Sequence, residues 1–167
     1  MAKCCIHPGR EAAKIVFGKS YCQPCIAGQQ AAVDAVKQYN KHVEPKECFI
    51  TWSGTKWEAL PGTGCAHWVS HQRNVSQGAP WNKCLKGCSI RVSDVVFGKQ
   101  QIKDLTNVRV NDIWASGALS HVGLVSKVDT DNAGTINISI THDSSGQGGV
   151  RTNDFATYFH GQGKFYR

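Results

Sequence analysis

Long apolar runs are missing from this 167-residue chain, and so is an opening of the secretory kind. No run approaches the ~20 residues that a membrane-spanning helix requires. The first residues, Met1-Ala2-Lys3-Cys4-Cys5-Ile6-His7, hold no signal-like apolar stretch. The expectation is synthesis and retention in a cytoplasm, so that any target outside it needs a lysis or secretion machine to carry the protein there. Repeats and low-complexity segments are also absent, which excludes a repeat architecture. Acidic residues are few, 12 against 19 Lys and Arg, leaving a formal charge of +7. Such a surface attracts polyanions, nucleic acids among them, or serves solubility alone. The basic residues are scattered, and no basic recognition helix or stacking-aromatic motif accompanies them, so no specific nucleic-acid partner is expected. What is present suits a folded chain: 41% apolar residues, in a length that accommodates one ordinary domain and a small appendage.

The first chemical signal lies within residues 1–30. Cys4-x-x-His7 is followed by Cys22-x-x-Cys25, two knuckles about fifteen residues apart. Each knuckle turn aims two ligands at one ion, and the pair supplies a tetrahedral zinc site. The intervening Lys14-to-Lys19 segment is long enough for a short hairpin. Four protein ligands close such a site, so the zinc is expected to be structural. Cys5 competes with Cys4 as the ligand. A redox Cys-x-x-Cys pair and two disulfides are the other readings, and a reducing compartment favours metal over them. The Cys-x-x-His-Pro opening resembles B-box-like and zinc-ribbon modules.

The second signal is Gly62-Thr63-Gly64-Cys65-Ala66-His67-Trp68-Val69-Ser70-His71. A glycine-punctuated turn delivers a cysteine, and Cys65, Trp68, Val69 and Gln72 then recur at helical spacing. Cys65 therefore falls in the first turn of a helix, where unpaired N–H groups favour thiolate. The alternative is an inert core cysteine. Downstream, Val108 to Trp114 reads as a turn entering a strand, and Ser120 to Val125 as another, with His121 near its start. Ile136, Ile138 and Ile140 alternate with polar residues, and His142 follows on the isoleucine parity where that strand is expected to end. A thiol on a helix and two histidines on consecutive strands can supply a nucleophile, a base and an orienting group.

The order and wording of these pieces resemble the NlpC/p-sixty superfamily of papain-like cysteine peptidases. The matching segments are Cys65-Ala66-His67-Trp68-Val69, Asn111-Asp112-Ile113-Trp114, Ser120-His121-Val122-Gly123 and His142-Asp143-Ser144-Ser145-Gly146, spread over roughly residues 50–167. Gly64-Cys65-Ala66-His67 replaces the family's usual Asp-Cys-Ser-Gly and is similar to the related CHAP amidase/peptidase pattern. The resemblance implies an α+β, papain-like core in which the Cys65 helix packs on an antiparallel sheet. It also implies a Cys65–His121–His142 triad, with Asp143 a possible substitute for His142. The implied substrate is the peptidoglycan stem peptide, cut as an endopeptidase or as an N-acetylmuramoyl-L-alanine amidase, in a phage lysis factor or antibacterial effector. A carrier or immunity protein is a further implied partner. The domain reading is a zinc knuckle at 1–30, a linking helix at 31–47 and the hydrolase domain at 48–167. The competing reading is a zinc-anchored cell-wall or protein binding module with Cys65 merely buried.

Other stretches are read as follows. Residues 26–43 form one helix, with Ala32, Val36, Tyr39 and Val43 on its apolar face and Glu44-Pro45 as its stop. Cys48 to Trp52 is a short strand. Trp52 and Trp57 either wall the cleft beside Cys65 or pack in the core. His67 and His71 are surface or packing residues. Residues 73–92 are a loop-rich insertion whose Cys84 and Cys88 are either paired or free. Residues 93–105 give a strand or a short helix. The aromatic tail from Phe155 to Arg167 ends in a helical turn and a strand.

Overall fold

The computed structural model describes residues 1–16, 18–38, 46–60, 63–76 and 89–167. The isoleucine alternation at 136–140 belongs to a six-stranded antiparallel sheet in the C-terminal half. Its strands are β5 (Gln101–Ile102), β6 (Ile113–Ala115), β7 (Val122–Thr130), β8 (Ile136–Ser144), β9 (Gly149–Asp154) and β10 (Lys164–Tyr166), as numbered in the whole chain. The spatial order is β5-β10-β6-β7-β8-β9, so the last strand closes back between the first two. Ahead of the sheet come a hairpin of β1 (Lys14–Val16) and β2 (Lys19–Tyr21), helix α1 (Gln23–Val36), a second hairpin of β3 (Ile50–Trp52) and β4 (Trp57–Ala59), helix α2 (Gly64–Ser76) and helix α3 (Val92–Val96). No helix among the described residues is long and apolar enough to cross a membrane.

Successive strand residues point to opposite faces, and the sheet therefore has two cores. On one face Ile113, Ala115 and Val122 pack with Cys65, Ala66 and Val69 of α2 and with Val92 and Val95 of α3. On the other, Trp114, Val125, Ile138, Ile140, Phe155 and Phe165 form a separate cluster. Gly123 allows β7 and β8 to approach closely: a Cβ there would lie 2.6 Å from Ile140 Cγ2 and 3.0 Å from His142 Cβ. The turn into β6 is set by Asn111, whose φ of 74° lies in the left-handed region that Asn tolerates. Asp112 beside it is buried, accepts from the Arg109 amide at 2.7 Å, and takes a two-pronged contact from Arg167 at 2.8 and 2.7 Å. The C-terminal residue is thereby clamped to the turn that launches β6.

Several expectations change. The helix expected from residue 26 begins at Gln23, so Cys25 lies inside its first turn, and Pro24 suits that position. Ala32 and Val36 are buried as expected, whereas Tyr39, Val43 and Glu44-Pro45 lie outside the described residues. Residues Lys46–Phe49 form a 3-10 turn, and the strand expected from Cys48 starts at Ile50. Phe49 is fully buried, and burying that ring fixes the turn. His142 does not end its strand: β8 continues to Ser144, paired throughout with β9. His67 and His71 are each 1% exposed, which makes them packing residues. Residues 93–105 supply both a short helix and a short strand. Cys48 is disulfide-bonded. Cys84 and Cys88 lie outside the described residues.

Candidate functional site

Two clusters of reactive side chains are built by different elements. The first is at the N-terminus. Cys4 and His7 occupy one turn, closed by Arg10 N–H donating to the His7 carbonyl at 2.9 Å. Cys22 precedes α1 in extended conformation, and Cys25 follows in the first helical turn. One ligand atom from each residue lies within 4.8 Å of all the others, so the four could hold one metal ion. Cys4 Sγ is 3.8 Å from Cys25 Sγ, and His7 Nδ1 is 3.6 Å from Cys22 Sγ and 3.3 Å from Cys25 Sγ. Cys4 is buried and Cys5 exposed, which assigns Cys4 to the cluster. Burial raises the Cys4 pKa, but the amides of Cys22, His7 and Ile6 outweigh it and bring it down to about 6. Burial and the neighbouring sulfurs push Cys25 the opposite way. Three sulfurs this close cannot all be thiolates without a cation among them.

Trp52 and Trp57 belong to this cluster and not to the surroundings of Cys65. Trp52 meets the His7 ring edge-on at 5.6 Å, and Trp57 meets Tyr21 at 5.6 Å. A Cβ on Gly28 would touch Trp57 Cδ1 at 3.0 Å, so the indole lies directly against α1.

The second cluster sits where β7 and β8 meet. His121 Nε2 lies 2.7 Å from His142 Nδ1, and His142 Nε2 lies 2.7 Å from Asn153 Oδ1 on β9. This row fixes the protons. The Asn153 carbonyl oxygen only accepts, so His142 carries its proton on Nε2. Its Nδ1 then accepts from His121 Nε2–H, and His121 Nδ1 is left with a lone pair. Among the described residues that nitrogen makes no hydrogen bond. Burial, and secondarily the neighbouring His142, lower the His121 pKa to about 4, so the ring is neutral at ordinary pH. Ser116 Oγ holds the approach by accepting from the amides of Ser120 and His121, both at 3.0 Å. Phe159, from the aromatic tail, packs at 5.1 Å from the His142 ring and 4.2 Å from that of Trp114.

Cys65 is the second residue of α2, and the preceding Thr63 carbonyl accepts the His67 N–H at 3.2 Å. The thiol is buried at 5% exposure. Burial raises its pKa; the Thr63 hydroxyl and the Val122 and Ala66 amides oppose the rise, and the Asp143 charge adds to it. The helix start thus does not produce the expected resting thiolate. Val122 and Asp143 are the chain neighbours of His121 and His142, so the sulfur sits at the level of both rings. Strand alternation nevertheless turns Val122 toward α2 and His121 toward Trp114. Sulfur and rings flank the start of β7 from two sides, and among the described residues no hydrogen bond joins Cys65 to either imidazole.

The two histidines expected to act together are therefore adjacent, and the thiol is beside them without contact. Asn153, Ser116 and Phe159 were not legible as site residues. Asn153 faces Ile140 across the ladder, which sets it diagonal to His142 only once the β8–β9 register is known. The chain matches no protein-family profile, no curated protein and no solved structure.

Proposed function

We propose that the chain is a cysteine hydrolase acting on amide bonds, with Cys65 as nucleophile and His121 as base. The observation that carries this reading is the His121–His142–Asn153 row, which leaves an unprotonated ring nitrogen on the residue next to the one whose amide touches the thiol. Because the thiol is raised and the imidazole lowered, the resting pair is neutral, and base catalysis operates during attack. The step requires Cys65 to leave the Val122 amide and the start of β7 to shift so that the thiol meets His121 Nδ1; the S–C bond to the amide carbonyl then forms as the thiol proton passes to that nitrogen. The amides at the start of α2 stabilise the oxyanion. The C–N bond then breaks, and the amine leaves with the proton from His121. Water, deprotonated by His121, releases the acyl group and restores the thiol. By the family resemblance, the core is papain-like and the substrate is the peptidoglycan stem peptide.

In the same reading Cys4, His7, Cys22 and Cys25 hold structural zinc. Zn–S bonds of ~2.3 Å give tetrahedral edges of about 3.8 Å, and mixed S–N edges somewhat shorter. The sulfur–sulfur separation of 3.8 Å and the sulfur–nitrogen separations of 3.6 and 3.3 Å are compatible with that pattern.

Digestion of purified muropeptides, with fragments identified by mass, tests the enzyme. Wild-type protein is expected to cleave a stem-peptide amide, and Cys65→Ala to lose all turnover while keeping its metal. Cleavage by the Cys65→Ala variant would refute the assignment. The burial of the thiol favours a second reading, a binding module on the same scaffold. Intact mass measured during turnover separates the two: a nucleophilic Cys65 carries an acyl adduct from the stem peptide that Cys65→Ala lacks, and an inert one carries none.

A further inference from the structure

A groove of about 510 Å³ opens between the metal knuckle and the β3–β4 hairpin, away from the histidine row. Its walls include Tyr21, Trp52 and Trp57, its floor includes Gln29, and Lys19 is the one charged side chain among its described lining residues. Gln29 is 8% exposed and lines the groove, and its side chain makes no hydrogen bond among the described residues, although its amide atoms are not fully buried. An amide that borders the groove and has no protein partner is free to bond a ligand that enters it.

The second observation is main-chain. Ser53 N–H donates to Lys56 O at 2.9 Å, and Leu60 N–H to Phe49 O at 2.6 Å. With Thr51 opposite Glu58, residues 49, 51 and 53 bond inward to β4. The N–H and C=O groups of Ile50 and Trp52 therefore point outward, and among the described residues they have no backbone partner. Ile50, Thr51 and Trp52 all line the groove, so this open strand edge borders it.

We propose that the groove binds an extended peptide segment, which adds to the outer edge of β3. An exposed edge with side-chain pockets beside it is the arrangement used in strand addition. The peptide pairs with Ile50 and Trp52, an apolar residue packs on the exposed faces of the paired indoles, and a peptide amide bonds Gln29. Lys19 selects an acidic residue at the mouth. The inference is independent of the reaction assigned to Cys65. It identifies the partner class as an acidic, extended stretch of protein chain.

The test uses the full-length, metal-loaded protein and a display library of random ten-residue peptides. Selected sequences are expected to alternate apolar with acidic residues and to shift the Ile50 and Trp52 amides and the Gln29 side-chain amide in nitrogen–proton spectra. Trp52→Ala and Gln29→Ala are each expected to weaken the selected peptides at least tenfold. Lys19→Glu, at an exposed position, should weaken acidic peptides and leave metal content unchanged. Selected peptides that leave the β3 amides unmoved, or that bind all three variants as well as wild type, would overturn the proposal. So would a chitin oligosaccharide that moves the Trp52 indole while no peptide does.

Discussion

Residues 1–36 and the C-terminal sheet hold their shape by different means. In the first, three of the four buried members of the local core are Cys4, Cys22 and Cys25 themselves, joined by Tyr21. In the second, two clusters of mostly aliphatic and aromatic residues cover both faces of six strands. A small module with so little apolar burial depends on cross-links or a metal for its free energy. A sheet with two filled cores does not. The chemistry differs in parallel: the knuckle gathers four residues that could close around one ion, while the histidine row ends on an open nitrogen.

The strongest way to break the comparison is to test the proposed metal by chelation or by replacing one of the four residues that could hold it. Structural zinc contributes on the order of 10 kcal/mol to modules of this kind. A chelator, or Cys22→Ser, is expected to unfold β1, β2 and the start of α1 while amide signals from β6 to β10 keep their dispersion. Collapse of both regions together would show that the sheet leans on the knuckle.

Next in size are the site variants. If His121 is the base proposed above, His121→Ala lowers kcat/KM by roughly 10³-fold, within the usual range for a general base. His142→Ala should cost less, and Asn153→Ala about tenfold, because these residues orient the ring without taking the proton. Steady-state kinetics checks the order, and a larger loss for Asn153→Ala than for His121→Ala would contradict it.

Acid separates the regions more gently. His67 is lowered to about 4 by burial and by its neighbour His71, and His121 to about 4 by burial and His142. Both folded-state values lie below the unfolded value of about 6.5, so between these limits the unfolded chain binds more protons. Stability is full above pH 6.5 and falls as pH drops toward 4, by up to roughly 3 kcal/mol for His67 and less for the more exposed His121. Urea titrations across that interval measure the slope. The smallest effect is expected from Arg167→Ala, about 1–2 kcal/mol, because the guanidinium is half exposed although Asp112 is buried.

How much of this was legible depends on the range of the interaction. The knuckle could be read because its ligands lie in two short motifs, and a three-residue spacing confines both side chains of each to one turn. The start of α2 followed from glycine punctuation and helical periodicity, and β8 from isoleucine alternation. Burial was not legible in the same way: nothing local to Cys65 reveals the Val122 and Asp143 packing that raises its pKa. Trp52 and Trp57 were divided between two environments because a hairpin's docking face is set by its partners. Asn153 belongs to the site only through the β8–β9 register, a relation between residues eleven apart that no motif encodes.

The account turns on where the protons of the His121 ring reside. Side-chain nitrogen NMR of the histidines in the intact protein at pH 7 reads this directly. The expected spectrum shows His121 Nε2 protonated and Nδ1 bare, unchanged as the pH is lowered to about 5 and titrating only near 4. A protonated Nδ1 at neutral pH, or a ring that titrates near 6.5, would remove the base from the proposed reaction.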